Sequence, residues 1–353
     1  MPPSDPSAIL VVRMSAIGDI VMATPLIAAL RRRYPGAYIA WLVQPQYREL
    51  LASNPQLDEV IDWPGEGWRA LWRSRRVPEL ARAVGRFRSQ LRDRGFDLVI
   101  DAQGLLKSAL AARLSGAERR VGLGSREGGR HLMTEQVAAP RGEGPIGSEY
   151  RRLARHLGLP ENGFRMDLPV PPTDDQRALE LVDRHGLQSG YAALCPFTTR
   201  PQKHWIEARW VDLARRLYDE QGLQAVLLGG PGDRESARGI AEAADRPAAA
   251  LAGELSLMQA AAMIRRAELV IGVDTGLTHL GLAYDRPTVA LFGSTLPYLE
   301  TGTSRGLVLY HPLPCSPCRR RPTCGGAFTC MEMIGVPEVL SAAVRVRADT
   351  VAA

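Results

Sequence analysis

Short apolar segments alternate with amphipathic ones along this chain, and the alternation stops once and then starts again. Residues 8–13 and 97–101 have the composition of strands buried on both faces, and each is followed by a turn and a helical pattern. Strands that alternate with helices favour a parallel sheet covered by helices on both sides. The first half of the chain is therefore predicted to be an open α/β domain.

The interruption is a stiff, proline-rich stretch at residues 168–173 (LPVPPT), which suits a linker. Beyond it, strands are predicted at the following positions: 191–194, 224–228, 269–271 and 288–292. Two domains also fit the length of 353 residues. We predict an α/β protein of two Rossmann-like domains with parallel sheets facing a cleft, residues 1–172 and 173–353. The last helix either stays in the second domain or packs back on the first.

The net charge of the chain is positive and is carried almost wholly by arginine. Lys plus Arg number 44 against 38 Asp plus Glu, which leaves +6, and Lys107 and Lys203 are the only lysines. This excess favours anionic partners such as phosphorylated substrates, nucleic acid or a membrane face. A lysine in so arginine-rich a chain suits the placing of a compact ammonium on a phosphate.

Composition excludes several classes of protein. Hydrophobic residues make up 45% and charged residues 23%, so the chain is not intrinsically disordered. No apolar run reaches the roughly 18–20 residues of a membrane-spanning helix. The first seven residues, with three prolines, lack the layout of a signal peptide. We expect a cytoplasmic protein whose membrane association, if any, is peripheral.

The turn after the first predicted strand is the first candidate site. Gly18 lets the backbone come close to a ligand, and the helix that begins there offers free N–H groups. Asp19 has two interpretations, a cap of that helix or a functional carboxylate at the rim of the cleft. The G-x-G-x-x-G fingerprint is missing, which disfavours a dehydrogenase. A similar strand-to-helix turn with Gly104 precedes Lys107.

Two loops of the second half are the next candidates. Thr198, Thr199 and Lys203 follow its first predicted strand, and two hydroxyls with an ammonium suit a diphosphate. An ordinary polar loop is the alternative. In the second loop, GVDTGLTH, either Asp274 or Thr275 can cap the following helix, and Gly276 admits an anion to its free amides. His279 lies one turn into that helix.

Arginines and cysteines form two further groups. Residues 69–94 are rich in arginine, and Trp63, Trp68 and Trp72 lie among these arginines or just before them. This combination is compatible with a solvated face, a site for an anionic acceptor or a surface that binds lipid headgroups. Four cysteines have the spacing C-x2-C-x5-C-x5-C between residues 315 and 330. This leaves a structural zinc site open, although the second pair lacks the usual close spacing. We assign no metal ligand and no cofactor.

Four strings together resemble glycosyltransferase family 9, the ADP-heptose:lipopolysaccharide heptosyltransferases. They are SAIGDIVMATP, DAQGLLKSAL, TTRPQKHW and GVDTGLTHL, in the family's order along nearly the whole chain. The DAQGL-x-KS string and the Trp-Arg stretch look closest to heptosyltransferase I, whereas the CSPCRRRPTC segment looks more like heptosyltransferase II.

The resemblance implies a GT-B fold, with the acceptor on the N-terminal domain and the nucleotide sugar on the C-terminal one. It implies Asp19 as the catalytic base of a transfer from ADP-heptose to the lipopolysaccharide inner core, either Kdo-lipid A or its heptosylated form. One base and in-line attack then predict inversion at the anomeric carbon. The implied donor-binding residues are Thr198, Thr199, Lys203, Asp274, Thr275, Gly276 and His279. The implied acceptor-binding residues are Ser15, Gly18, Arg69, Lys107 and Arg126.

Two other functions stay open at this point. A nucleotide-sugar epimerase of similar architecture would turn over its donor without an acceptor. A nucleic-acid-binding protein would use the arginine run, although the chain has no recognisable helix-turn-helix, zinc finger or aromatic RNA-binding motif. For Lys203→Ala the sequence alone predicts weaker ADP binding with little loss of thermal stability.

Overall fold

The computed structural model describes residues 5–139, 144–318 and 321–348, which divide into two compact units. Residues 5–139 and 147–168 belong to the first unit, and the remaining described residues belong to the second. The change of unit after Leu168 falls in the proline-rich stretch. Residues 144–146 join the second unit, where the Ile146 amide donates to the Glu300 carbonyl at 2.7 Å.

A parallel sheet of six strands forms the middle of the first unit. The elements in chain order are β1 (Ala8–Val12), α1 (Ile17–Ala23), α2 (Pro25–Arg33), β2 (Tyr38–Val43), α3 (Glu49–Ala52), β3 (Glu59–Asp62), α4 (Gly65–Arg73), α5 (Val77–Arg92), β4 (Leu98–Asp101), α6 (Leu106–Leu114), β5 (Arg119–Leu123), β6 (Glu135–Val137) and α7 (Ser148–His156). The strands lie in the order β3-β2-β1-β4-β5-β6. This is the order of a doubly wound fold, which reverses between β1 and β4.

The second unit has a second parallel sheet of six strands. Its elements are α8 (Pro172–Arg184), β7 (Tyr191–Cys195), α9 (Glu207–Gln221), β8 (Gln224–Leu227), α10 (Arg234–Ala243), β9 (Ala248–Ala250), α11 (Leu257–Arg266), β10 (Leu269–Val273), α12 (Gly276–Ala283), β11 (Thr288–Phe292), β12 (Gly306–Tyr310), α13 (Thr329–Glu332) and α14 (Val336–Ala348). The order β12-β11-β10-β7-β8-β9 repeats that of the first sheet and reverses between β7 and β10. Two Rossmann-like parallel sheets, as predicted, are confirmed.

Burial explains why the strands read as continuous apolar runs. All five residues of β1 are at most 6% exposed, because helices cover both faces of the sheet. In α5 the sequence predicts an apolar stripe at Leu80, Val84, Phe87 and Leu91. Of these, Phe87 and Leu91 are buried and lie in the core with Leu10 and Val12 of β1.

Two expectations about helices need correction or completion. The helical pattern of the sequence from about residue 20 to residue 33 predicts one helix, but the structure has two, α1 and α2, which meet at Thr24. Pro25 is the reason, since a proline takes the first position of a helix and cannot continue one. The last helix, α14, packs against β10, β11, β12 and α9 of the second unit. No helix within the described ranges has the length and apolar character needed to cross a bilayer.

The sheet order places the candidate loops within each unit. Ligands of doubly wound sheets bind outside the carboxyl ends of the strands where the order reverses. In the first unit the loops at that point are residues 13–16 after β1 and 102–105 after β4. In the second unit they are residues 196–206 after β7 and 274–275 after β10. Four sequence motifs therefore flank the two switch points.

Candidate functional site

In the first unit, Asp19 forms an ion pair with an arginine that the sequence analysis did not single out. Arg13 Nη2 lies 2.6 Å from Asp19 Oδ2, with the two side chains 7% and 42% exposed. The Ala16 amide donates to the same oxygen at 3.2 Å, so Asp19 is also the third residue of α1 and closes its first turn. Within the described part of the chain, both contacts reach Oδ2 and none reaches Oδ1. Asp19 can therefore close the first turn of α1 through Oδ2 and still act as a functional carboxylate through Oδ1.

Arg13 is buried and held from the β4 side. Its Nη1 donates to the Ala102 carbonyl at 2.9 Å, whereas its Nε has no partner among the described residues. Burial is the largest cause and works to lower the pKa of Arg13, but the charge of Asp19 and the hydrogen bond to it, together with Tyr150 and Glu149, raise that pKa above its usual value. The guanidinium therefore stays charged and keeps the carboxylate of Asp19 in place.

The loop after β4 is built around a buried aspartate. Asp101, which is fully buried, accepts hydrogen bonds from the amides of Gln103 and Gly104 and from the Ser108 hydroxyl at 3.0–3.1 Å. Burial nonetheless raises the pKa of this carboxyl. Gly104 has φ +68°, and a Cβ there would come within 2.3 Å of the Leu123 carbonyl. Only glycine fits this turn, which sets the start of α6 and the position of Lys107.

Gln103 joins the two loops of the first switch point. Its Oε1 accepts from the Met14 amide at 2.7 Å, and its Nε2 donates to the Ser15 hydroxyl at 3.4 Å. Ser15 is half-buried, and Gly18, the second residue of α1, is buried. The predicted residues therefore lie together, Ser15 in the loop that Gln103 attaches to β4 and Gly18 and Asp19 in the first turn of α1.

The half-buried Lys107 lies near two arginines, and Glu127 offsets part of their charge. Burial is the largest cause that lowers its pKa, and the charges of Arg69 and Arg13 add to it. The exposed Arg126 lies beside the same loop, since its amide donates to the Gly104 carbonyl at 2.9 Å. The structure thus brings the five predicted acceptor residues to one end of the first sheet. We call these five residues the acceptor cluster, and their positive charge suits an anionic ligand.

In the second unit, Asp274 connects the loop after β10 with the loop after β7 by an ion pair with Lys203. Lys203 Nζ lies 2.5 Å from Asp274 Oδ2, and the side chains are 16% and 13% exposed. The Thr295 hydroxyl donates to the same oxygen. Burial works to raise the pKa of Asp274, but the hydrogen bond from His279 and the charge of Lys203 outweigh it and hold that pKa well below its usual range. The Asp274 carboxylate is therefore charged at neutral pH.

His279 is buried rather than exposed to a ligand. Its Nδ1 lies 2.7 Å from the Tyr298 hydroxyl, and its Nε2 lies 3.4 Å from Asp274 Oδ1. Tyr298 is 1% exposed, and burial raises its pKa well above the usual value. The hydroxyl therefore keeps its proton, and when it donates to Nδ1 the other ring nitrogen carries the proton that faces Asp274.

The remaining candidates of the second unit line the same two loops. Thr198 is half-buried and Thr199 exposed, and the Thr198 carbonyl lies 2.9 Å from His204 Nε2. Thr275 occupies the cap position of α12, but its side chain makes no capping bond, and Asp274 is engaged as described. The expectation that either side chain caps α12 is therefore wrong. The first amides of the helix, from Gly276 onward, have no acceptor within the helix.

Of the four closely spaced cysteines, Cys315 and Cys330 lie near the end of β11. A Cβ on Gly293 would come within 2.9 Å of Cys330 Sγ, and Ser316, next to Cys315, donates to the Gly293 carbonyl. All five cysteines are free thiols. Among the residues that the structure describes, no group of three or more His, Cys, Asp or Glu side chains is arranged to hold a metal ion.

Comparison with known proteins decides the family. The family model described as glycosyltransferase family 9 (heptosyltransferase) matches residues 84–326, more than half of the chain. The chain belongs to glycosyltransferase family 9. This member of family 9 is a glycosyltransferase, and the resemblance of its four motifs is confirmed.

Individual relatives agree with this. The chain is 31% identical over 329 residues to lipopolysaccharide heptosyltransferase 1 of Pseudomonas aeruginosa, covering 90% of this chain and 87% of the relative. It is 29% identical to lipopolysaccharide heptosyltransferase 2 of Salmonella typhimurium, covering 82% and 83%. The solved structure of the E. coli heptosyltransferase WaaC with ADP-2-deoxy-2-fluoro heptose has a TM-score of 0.67 at 25% identity, over 95% and 98% of the two chains. The GT-B fold is thereby confirmed.

Sequence reasoning missed four residues that organise these loops, Arg13, Gln103, Tyr298 and Thr295. Arg13 and Gln103 stood inside or beside the quoted strings, so their position after a strand was a usable signal. Tyr298 and Thr295 lie beyond β11, and no spacing connects them with residues 274–279.

Proposed function

We propose that this family 9 glycosyltransferase transfers a heptose from ADP-heptose to the inner core of lipopolysaccharide, with inversion at the anomeric carbon. The identity of 31% over 90% of the chain to a lipopolysaccharide heptosyltransferase 1 carries the proposal. The second unit binds the donor and the first unit binds the acceptor.

The donor site uses the loops after β7 and β10. ADP leaves with a developing negative charge on its diphosphate, and positive groups that are already in position stabilise that charge. Lys203 and the first amides of α12, from Gly276, supply positive charge, and Thr198, Thr199 and Thr275 supply hydroxyl donors. Asp274 and His279 hold Lys203 and the loop in place. A charge-stabilised diphosphate needs no proton from a general acid.

The acceptor site uses the loops after β1 and β4. A sugar hydroxyl is a poor nucleophile, so a carboxylate must take its proton as the new bond forms. Asp19 does this through Oδ1, while Oδ2 stays bound to Arg13 and to the Ala16 amide. Ser15 and Gly18 shape the loop, and Lys107, Arg69 and Arg126 attract the anionic Kdo and phosphate groups of the acceptor. One base and one displacement step give an inverted product.

The test incubates the protein with ADP-heptose and either Kdo-lipid A or its heptosylated form. We expect one acceptor to gain the mass of one heptose, with the opposite anomeric configuration by NMR. The acceptor that reacts also decides between the two heptosyltransferase types. A donor converted at the same rate without any acceptor would instead support the epimerase.

A further inference from the structure

The arginine-rich stretch of the first unit folds into a helical hairpin with an exposed end. Helices α4 and α5 pack against each other, and residues 74–76 connect them. We call residues 72–77 (WRSRRV) the hairpin tip. The amides of Arg75 and Arg76 donate to the carbonyls of Trp72 and Leu71 at 3.0 and 2.9 Å, which fixes the backbone of the tip.

An aromatic cluster holds the hairpin to the unit. Trp63, Trp68 and Phe87 meet edge to face with ring centroids 4.9–5.7 Å apart, and Trp63 and Phe87 are buried. Two of the three tryptophans that interleave the arginines therefore belong to the core. The third, Trp72, is 66% exposed and needs a different explanation.

The tip combines exposed apolar side chains with arginine. Val77 is 53% exposed beside Trp72, and Arg73, Arg75 and Arg76 between them are exposed as well. Over residues 69–92 the sequence has eight arginines and one acidic residue, Glu79, a net charge of +7. Glu79 offsets part of the charge of Arg76, whose Nη2 lies 3.1 Å from Glu79 Oε1.

This combination fits a bilayer with anionic lipids. Tryptophan prefers the headgroup region, where its ring is in an apolar layer and its N–H reaches water, and arginines bind lipid phosphates. A nucleic acid would satisfy the arginines, but an aliphatic side chain such as Val77 has no ring to stack on a base.

We propose that the hairpin tip docks on a bilayer rich in anionic phospholipid, with Trp72 and Val77 among the head groups and the neighbouring arginines on lipid phosphates. Arg69, whose charge reaches Lys107, precedes Trp72 on α4 by three residues, about 4.5 Å along the helix axis. Docking would thus bring the membrane close to the acceptor cluster. This last consequence rests on the proposed function, since only then is the acceptor a lipid.

The test measures co-sedimentation with vesicles of phosphatidylcholine alone and of phosphatidylcholine with one quarter phosphatidylglycerol. Neither vesicle contains an acceptor. We expect binding to the anionic vesicles that weakens as salt rises. Trp72→Ala should lower the partition coefficient about tenfold. The triple variant Arg73→Gln, Arg75→Gln, Arg76→Gln should lower it about a hundredfold.

A matched triple variant removes the same charge elsewhere. Arg184→Gln, Arg238→Gln and Arg345→Gln alter three exposed arginines of the second unit, and we expect partition within twofold of the wild type. Each variant is accepted only if its melting temperature equals that of the wild type.

Three results would overturn the docking proposal. They are no binding of the wild type to anionic vesicles, equal loss in both triple variants, and tighter tip-dependent binding to duplex DNA than to vesicles. Transfer to a water-soluble core oligosaccharide should be unchanged in the tip variants. If the wild type itself transfers nothing, the proposed function fails while the vesicle result still stands.

Discussion

Replacing Lys203 by alanine is expected to cost stability as well as donor binding. The ammonium lies 2.5 Å from the Asp274 carboxylate, and both side chains are less than one fifth exposed. Removing one member of a buried ion pair costs about 3–5 kcal/mol, because the other charge stays buried. His279 and Thr295 still contact Asp274, so we expect the lower end, about 3 kcal/mol. In a domain of this size that is a fall of about 6–12 °C in melting temperature.

The loss should depend on pH in a direction that the pair dictates. The pKa of Asp274 is lowered in the folded protein, so its contribution to the free energy of unfolding is complete above the unfolded value of 3.8. It disappears as pH falls through the lowered pKa. In Lys203→Ala the positive charge of the lysine no longer faces Asp274, so the pKa of the Asp274 carboxyl rises. The gap in stability between wild type and variant is therefore full at pH 7 and shrinks below about pH 4.

Denaturant unfolding of Lys203→Ala, Asp274→Asn and the double variant measures the coupling, and calorimetry measures ADP affinity. We expect the double variant to lose at least 1 kcal/mol less than the sum of the single variants. Lys107→Ala, which removes the other lysine, is the control, and we expect no loss because burial and like charges already disfavour its ammonium. Strict additivity, or a Lys203→Ala melting temperature within 2 °C of the wild type, would refute the reasoning. Unchanged ADP affinity would remove Lys203 from the donor site.

Three further substitutions test the positioning of these groups. Arg13→Gln should lower kcat by about 10–100-fold with the donor KM unchanged, because Asp19 loses its buried partner; Arg13→Lys should recover part of the rate in the same steady-state assay, and full activity of Arg13→Gln would contradict the role. Tyr298→Phe leaves His279 Nδ1 without its hydroxyl partner and should cost about 1–3 kcal/mol of unfolding free energy and raise the donor KM; unchanged values of both would dismiss Tyr298. Because burial and nearby arginines lower the pKa of Lys107, the acceptor KM of the wild type should rise with pH below the ordinary lysine value of 10.5, and Lys107→Arg should abolish that rise; identical KM profiles between pH 7 and 10 would exclude Lys107.

The buried parallel strands could be predicted because a strand buried on both faces is a nearly continuous run of apolar residues. Strand β11 matches the predicted bounds, and β1 and β4 differ by one residue at one end. Edge strands carry less of this signal. β6 and β9 have three residues each, and β12 is mostly half-buried, so neither length nor hydrophobicity marked them.

The candidate site was predictable to the extent that its residues lie directly after strands. Sheet order then explains why residues far apart in sequence meet, since β1 lies beside β4 and β7 beside β10. Partners between loops were not predictable. The Lys203–Asp274 pair spans 71 residues and changes what Lys203→Ala should do to stability, and the buried Tyr298 contacts His279 from beyond β11.

The most direct test of the account is the rate of heptose transfer by Asp19→Asn. Asparagine keeps the shape of the side chain and can still accept from Arg13 and the Ala16 amide, but it takes no proton from an acceptor hydroxyl. We predict a kcat at least about 10²-fold below the wild type, with ADP-heptose affinity unchanged within twofold. The melting temperature should fall, because the buried Arg13 loses its counter-charge. Near-normal turnover by Asp19→Asn would contradict the assignment of Asp19 as the general base.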